Sequence, residues 1–378
     1  MKKCVVVSDS FKGTVSSREI CEIAQLVIPR HFPACAVVCI PVADGGEGTV
    51  DCFIQAMGAQ RVEVTVTNAL GEKSAAAYAR IGELAIIEMA AAAGLPQVGA
   101  LRCPGTATTY GVGELIAHAV HSGCKRILLG LGGSATNDGG CGCAAALGVG
   151  FLDADGQSFV PVGDTLGRIA RIDTAKADEL LRSVEITVMC DVTNPLYGPT
   201  GAAYVFAPQK GADAEKVKSL DAGLRHFGDV IRSQLGIDVS RMPGAGAAGG
   251  MGAGCVALLG GTIQSGIDAV LDVTGFDRQL EGADLVITGE GRIDSQSAGG
   301  KVISGVARRT KAKGIPLIAI AGGIADSAGA VYDIGVSAMF STDRAALPVD
   351  MLGARSPGDY EATLSDIMSL IAIAERFA

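Results

Sequence analysis

The chain has 378 residues, and 40 acidic against 31 basic side chains give it a formal net charge of −9. This charge and an aromatic content of 4% argue against nucleic acid or an acidic membrane surface as a partner, since basic patches and stacking platforms are missing. The length predicts two domains, and 53 glycines with 48% hydrophobic residues are typical of an α/β enzyme with many tight turns.

The 11 cysteines include no CxxC pair, so we expect buried, reduced thiols and a cytoplasmic location. The apolar run near the N-terminus is too short for a signal peptide. No apolar run reaches the length of a membrane span.

The first elements form a predicted βαβ unit. Cys4–Val7 is a buried strand, a capping box at Ser16–Glu19 starts a helix, and Ala36–Ile40 is the next strand. Because the carboxyl ends of parallel strands meet at one sheet edge, we expect the polar residues of the two exit loops to lie together there. Each also fits an ordinary surface or turn position. These residues are Lys12, Asp44 and Glu47.

The next segments break the parallel pattern. Arg61–Val66 and Ala75–Arg80 alternate as antiparallel strands do, and Leu84–Glu88 is a buried strand. His118 and His121 lie three residues apart on a predicted helix, where an exposed helix surface is favoured over a metal pair.

A glycine-rich loop follows the buried strand Arg126–Leu129. Gly130, Gly132 and Ala135 match GxGxxA, and Asp153 ends the next predicted strand, so a nicotinamide-binding domain is one interpretation. Against it, Asn137 and Asp138 would place polar, acidic groups where a pyrophosphate should lie.

A later strand, Glu185–Cys190, ends at Asp191, with Asn194 close behind. An aspartate in this place suits a general base or a Mg²⁺ ligand, and an Asx turn before proline is the alternative. Ala214–Leu235 is a predicted amphipathic helix, and Met242–Gly261 consists of small residues that favour close packing.

The stretch Asp284–Lys301 combines a predicted strand, Asp284–Thr288, with a glycine corner at 289–291. Glu290, Arg292, Asp294 and Lys301 follow within it, which suits a phosphate with a bound cation. A tight turn with solvated charges is the alternative. The stretch matches neither a P-loop nor a dinucleotide fingerprint.

Six motifs together resemble those of the bacterial glycerate kinase family, in the order and over nearly the whole length that the family shows. They are Ser8–Gly13, Ala43–Thr49, Leu131–Gly140, Cys190–Leu196 with its continuation Tyr197–Gly201, Pro208–Gly211 and Ile287–Asp294.

The resemblance implies an α/β fold of two dissimilar three-layer α/β/α domains, one of them Rossmann-like with a mainly parallel sheet, and an active site in the cleft between them. The Rossmann-like domain would be discontinuous, with residues 1–70 and 280–378, and 71–279 would form the second domain. The implied activity is ATP- and Mg²⁺-dependent phosphorylation of D-glycerate to 2-phosphoglycerate, in glycolate, glyoxylate or sugar-diacid catabolism. The 3-phosphate is an open alternative, and so is the oligomeric state.

Chemistry and position suggest roles for the matched residues. Asp191 is the favoured base and Asp44 the second choice, while Lys12, Arg292 and Lys301 would neutralise negative charge. Glu290 or Asp294 would hold Mg²⁺. Donors for the ATP phosphates would come from Gly132, Gly133, Ser134 and Asn137, and the remaining binding residues are Ser10, Gly45, Gly46, Glu47 and Asn194. A nicotinamide oxidoreductase and a non-catalytic receptor for small carboxylates are the rival functions.

Overall fold

The computed structural model describes residues 1–11, 14–42, 49–299, 302–345 and 355–377. Its contacts divide the chain into one unit of Met1–Asp44 with Ile267–Ala378 and a second unit of Gly45–Gly266. The predicted limits of 70 and 280 differ from these. A boundary at 70 would cut a hairpin, because Gln60–Thr67 pairs along its whole length with Lys73–Ile81.

The described residues form thirteen strands and fifteen helices, together with four short 3-10 turns. The strands are β1 (Lys3–Ser8), β2 (Ala36–Pro41), β3 (Gln60–Thr67), β4 (Lys73–Ile81), β5 (Leu84–Glu88), β6 (Arg126–Gly130), β7 (Gly150–Leu152), β8 (Arg171–Asp173), β9 (Glu185–Met189), β10 (Thr262–Gln264), β11 (Leu285–Ile293), β12 (Leu317–Ile324) and β13 (Ala338–Ser341). The helices are α1 (Ser17–His31), α2 (Thr49–Met57), α3 (Ala90–Ala93), α4 (Leu95–Val98), α5 (Tyr110–His121), α6 (Cys141–Ala146), α7 (Ala175–Leu181), α8 (Ala202–Phe206), α9 (Ala214–Leu235), α10 (Ala247–Leu259), α11 (Gly266–Val273), α12 (Phe276–Gln279), α13 (Val302–Ala312), α14 (Ala330–Ile334) and α15 (Ser356–Ala374).

The first unit is built on a five-stranded sheet in the order β13-β12-β11-β1-β2, with every described pairing parallel. Cys4–Val7 is completely buried in the middle of this sheet, in register with Leu285–Thr288. Helices α1 and α15 pack against each other beside it. The capping box predicted at the start of α1 is confirmed, since Ser16 and Glu19 exchange hydrogen bonds. Pro29 lies inside α1.

The second unit is built on a six-stranded mixed sheet in the order β10-β9-β6-β5-β4-β3. The strands β10, β9, β6 and β5 are parallel, and β4 and β3 are added antiparallel. The predicted antiparallel segment is therefore confirmed. The predicted helix Ala214–Leu235 is confirmed as α9. Both sheets together confirm the α/β class.

One predicted turn is wrong. Strand β11 continues through Gly289–Gly291 to Ile293, paired with β12, so these glycines do not form a strand-to-helix corner. The glycine at 289 has a packing reason, because a Cβ there would collide with the backbone oxygen of Ile320 on the neighbouring strand.

No helix in the described part of the chain is long and apolar enough to cross a membrane.

Candidate active site

One buried carboxylate anchors the loop that follows β6. Asp138 is completely buried and accepts hydrogen bonds of 2.8–3.2 Å from the backbone N–H and hydroxyl of Thr109 and from the N–H groups of Gly140 and Gly142. The Thr109 hydroxyl accepts in turn from the N–H of Cys143 at 2.9 Å. Burial raises the pKa of Asp138, and the donated hydrogen bonds oppose that rise. Because these groups all donate, they select the carboxylate form and tie the loop to the starts of α5 and α6.

A buried lysine holds the middle of the same loop. Lys210, at the end of the 3-10 turn Pro208–Lys210, is 2% exposed. Its ammonium donates to Ser134 Oγ at 2.7 Å and to the backbone oxygen of Thr136 at 2.6 Å. Burial lowers the pKa of Lys210 to about 7, and the charge of Asp138 opposes that change. Lysine is rarely withdrawn from water in this way, and the two hydrogen bonds to the loop offset part of the cost of burial.

A strained backbone segment packs against the same part of the loop. Residues 248–250 have φ of 52°, 69° and 91°, and Ala248 is the one non-glycine residue with positive φ in the described ranges. The backbone oxygen of Gly249 accepts from Gly139 N–H at 3.0 Å. A Cβ on Gly249 would collide with the backbone of Thr136 and Asn137. The left-handed backbone therefore permits an approach that no side chain would allow.

Asn137 stands at this contact with an unsatisfied side chain. It is completely buried, and neither amide atom has a hydrogen-bond partner among the residues that the structure describes. Leaving such a group unpaired costs about 1–3 kcal/mol, and native proteins usually satisfy it with protein, water or a ligand. Near the beginning of the loop Gly133 is exposed and left-handed, with φ 73°. The loop thus combines an accessible glycine with a polar group that the described protein atoms do not satisfy.

The structure places Asp191 and Asn194 in the predicted position, directly after β9 and next to the strand that feeds this loop. Asp191 is exposed. Its Oδ1 accepts a hydrogen bond of 2.8 Å from the N–H of Gly266, which is the first residue of α11. The Asn194 side chain donates to the backbone oxygen of Thr200 at 2.8 Å, and its own backbone oxygen accepts from Gly246 N–H at 3.0 Å. The exit of β9 is therefore connected to the segment that carries the strained backbone.

Six of the predicted site residues lie outside the described ranges, so their predicted roles stay predictions: Lys12, Asp44, Gly45, Gly46, Glu47 and Lys301. Just after residues 43–48 the helix α2 begins, and the carboxylate of Glu88 accepts from Val50 N–H at 2.7 Å. Glu88 ends β5, so the start of α2 lies at the carboxyl edge of the six-stranded sheet.

The first unit carries the other predicted residues. Glu290 and Arg292 belong to β11 and Asp294 follows it in extended conformation, so alternation along the backbone turns all three toward one face of the sheet. Glu290 is buried and Arg292 is exposed. Asp294 Oδ1 accepts a hydrogen bond of 2.8 Å from the N–H of Gln296. Asp294 thereby caps a 3-10 turn. Ser10 follows the neighbouring strand β1 and donates its N–H to Asp9 Oδ1 at 2.7 Å.

The dinucleotide interpretation of the loop is wrong. In that fold the acidic residue ends the parallel strand next to the glycine-rich turn. Here β7, which precedes Asp153, pairs antiparallel with β8 in a separate two-stranded sheet. Asp153 itself forms an ion pair with Arg168 at 2.9 Å.

Two further observations concern metal ligation. In the described ranges no three histidine, cysteine or acidic side chains come together as a metal site. His118 Nδ1 lies 3.1 Å from the Tyr78 hydroxyl, and His121 Nδ1 lies 2.7 Å from the backbone oxygen of Ala117. Both imidazoles are thus accounted for by local contacts within the second unit.

Lys210 is the residue that sequence reasoning missed. The motif Pro208–Gly211 predicts the turn, but the pattern of polar and apolar residues around it does not show that the side chain of Lys210 points inward. The available signal was the combination of a motif lysine with a second motif, Leu131–Gly140, that offers hydroxyl and backbone acceptors.

Comparison with known proteins gives consistent results. A family model described as the Glycerate kinase family matches residues 4–372. A glycerate kinase of Bacillus cereus is 45% identical over 99% of this chain and 99% of its own length, and a glycerate 2-kinase of Escherichia coli is 46% identical over 90% of both chains. The crystal structure of a protein from Salmonella typhimurium, described as a candidate glycerate kinase 2, superposes with a TM-score of 0.88 at 39% identity and covers 99% of each chain.

Proposed function

The chain belongs to the glycerate kinase family, and from this we propose that it transfers the γ-phosphoryl group of ATP to the 2-hydroxyl of D-glycerate. The observation that carries the proposal is the match along nearly the full length to relatives named as glycerate kinases. The folded loops after β6 and β9 support it, because they gather the residue types that phosphoryl transfer needs.

In the proposed reaction the substrate hydroxyl oxygen forms a bond to the γ-phosphorus, while the bond from that phosphorus to the β,γ-bridging oxygen breaks. ADP leaves with the electron pair, and the hydroxyl proton passes to a base. We assign the base to Asp191, an exposed carboxylate at the end of β9. Asp44 stays the second candidate.

The loop after β6 is the proposed phosphate-binding element. Gly132 and Gly133 would offer backbone N–H groups, and the unsatisfied amide of Asn137 would offer a further donor. Ser134 completes the set. Arg292, Lys12 and Lys301 are the proposed cations that neutralise the transferring group, and Ser10, Gly45, Gly46, Glu47 and Asn194 are the proposed substrate contacts.

The donor chemistry of the first unit also fits Mg²⁺. This cation prefers oxygen ligands, takes one or two carboxylates from the protein and leaves its other positions to phosphates and water. Glu290 and Asp294, on one face at the end of β11, would hold it. When bound it supplies charge neutralisation for the phosphates.

The relative from Escherichia coli is named a glycerate 2-kinase, and this name supports the 2-phosphate as product here. The 3-phosphate is the alternative. The structure does not support a nicotinamide oxidoreductase, because Asp153 does not follow a parallel strand next to the glycine-rich loop.

The test is ADP release by the purified protein with Mg-ATP, with and without D-glycerate, followed by phosphorus NMR of the product. We expect ADP release that depends on glycerate and a signal from the 2-phosphate. A 3-phosphate signal would correct the position of transfer. Binding of glycerate without turnover would refute the kinase assignment in favour of the receptor function.

A further inference from the structure

We infer that Lys210 is a positioning residue of the phosphoryl-transfer site. Its ammonium binds Ser134 and Thr136 on the buried side of the loop Leu131–Gly140. This holds the loop so that the accessible glycines present their N–H groups to a nucleoside triphosphate. The inference rests on the proposed function and adds a residue to it. The ammonium of Lys210 is engaged by Ser134 and Thr136, so it acts through the loop and not on the substrate directly.

The first argument is the cost of this arrangement. The ammonium of Lys210 makes two hydrogen bonds to neutral oxygens and has no ion pair with a carboxylate in the described part of the chain. Burying a charge without such a partner destabilises a protein, and an apolar side chain of similar volume is often equally or more stable. A lysine kept for packing alone has no physical advantage here.

The second argument is the direction that Lys210 imposes on Ser134. Because Ser134 Oγ accepts from the ammonium at 2.7 Å, its own hydroxyl proton must point elsewhere. Ser134 is 8% exposed and adjoins Gly133, the exposed left-handed residue. The lysine thus makes the serine a directed donor at the accessible part of the loop.

The third argument is that Lys210 belongs to a set of contacts that immobilise the loop, which also includes backbone hydrogen bonds from Leu95 to Gly133 and from Ala135 to Ala93. Lys210 holds residues 134 and 136, Asp138 anchors the end of the loop, and the strained segment 248–250 presses on the backbone at 136 and 137. Backbone donors stabilise developing charge only when they are held in place before the reaction. Contacts from several segments on one loop provide such preorganisation.

Charged groups around Lys210 come from two other segments. Asp138 belongs to the loop itself, and its negative charge favours the ammonium form. Arg102 lies beside the turn, where its guanidinium donates to the backbone oxygen of Gln209 at 3.2 Å. A polyanion bound at the loop adds negative charge near Lys210 and favours the ammonium further.

The test compares Lys210→Met with Lys216→Met. Lys216 lies six residues later on α9, where it forms an ion pair with Asp164 at 2.9 Å and no hydrogen bond to the described residues of the loop. For Lys210→Met we expect kcat/KM for ATP to fall by about a hundredfold, the effect of a small misplacement of reacting groups, with a thermal midpoint no lower than that of the wild type. Lys216→Met should keep wild-type kinetics.

A second readout uses the wild-type protein. Mg-ATP binding without glycerate is measured by calorimetry at pH 8 in two buffers of different ionisation enthalpy, where the triphosphate is already fully ionised. We expect uptake of several tenths of a proton per nucleotide in the wild type and in Lys216→Met. Lys210→Met should take up none.

Two outcomes would overturn the inference: wild-type kcat/KM in folded Lys210→Met, or equal proton uptake with and without Lys210. Failure of the proposed function looks different. In that case the wild type itself shows no glycerate-dependent ADP release.

Discussion

The anchoring of the β6 loop by Asp138 makes a quantitative prediction for Asp138→Asn. The substitution keeps the shape of the side chain but replaces one acceptor oxygen by an amide that donates. If the amide oxygen of the new asparagine takes the place of Oδ2, the contacts with Thr109 and Gly142 are kept. The N–H of Gly140 then faces the amide NH₂, which is another donor. An unpaired buried N–H costs about 1–3 kcal/mol, and the remaining bonds lose about 1 kcal/mol each when their acceptor is no longer charged.

Removal of a buried charge offsets part of this loss. We therefore expect the second unit to lose about 3 kcal/mol of stability. Since a chain with two units need not unfold in one step, the appropriate assay is native-state hydrogen exchange of the amides at Gly140, Gly142 and Cys143. A loss of about 3 kcal/mol increases their exchange rates by roughly two powers of ten.

The matched control is Asp229→Asn. Asp229 forms an exposed ion pair with Arg232 at 2.7 Å on α9, a kind of contact that contributes about 0.5 kcal/mol or less. Exchange at the loop should not change in this variant. If Asp138→Asn left exchange at Gly140 and Gly142 within threefold of wild type, the carboxylate would not be the anchor described here.

Three further predictions concern the same unit. Gly249→Ala should cost about 3 kcal/mol or more in urea unfolding, because its Cβ would meet backbone atoms. Gly260→Ala, in the same unit, is equally left-handed but in open space, and it should cost about 1 kcal/mol. Asp191→Asn should lower kcat by about 10²–10⁴-fold in the ADP assay, and retention of most of the activity would exclude it as the base. Burial lowers the pKa of Lys210 to about 7, so the unfolded state binds the extra proton above that pH. The stability of the wild type relative to Lys210→Met should therefore rise between pH 7 and 9, and a fall would contradict the lowered pKa of Lys210 in the folded state.

Local patterns predicted the fold where a single element decided its own structure. Helix α9 begins and ends at the predicted residues, since Asp213 caps it and Gly236 terminates it in a left-handed conformation. The hairpin of β3 and β4 followed from alternation. Strand β11 was predicted too short, because glycines usually mark a break. Its continuation depends on close approach to β12, which is a tertiary effect.

For the candidate site, the sequence predicted that Asp191 and the glycine-rich loop each follow a strand. That the two strands, β9 and β6, are neighbours in one sheet is a finding of the structure. Periodicity carries no information about which polar residues turn inward. The burial of Lys210 and the unsatisfied amide of Asn137 result from packing between distant segments, and the left-handed backbone at Ala248 does as well.

The pairing of β1 with β11 has a consequence for how the molecule is made. Residues 45–266 are synthesised after β1 and before its partner, and at about 5–20 residues per second this takes roughly 10–45 s. During that time the apolar strand Cys4–Val7 cannot pair with β11. Its unpaired edge can then bind chaperones or aggregate with other chains. The second unit, by contrast, has all its strands in one continuous segment and can complete its sheet on the ribosome. We therefore expect newly made chains to pass through a state in which only the inserted unit resists proteolysis.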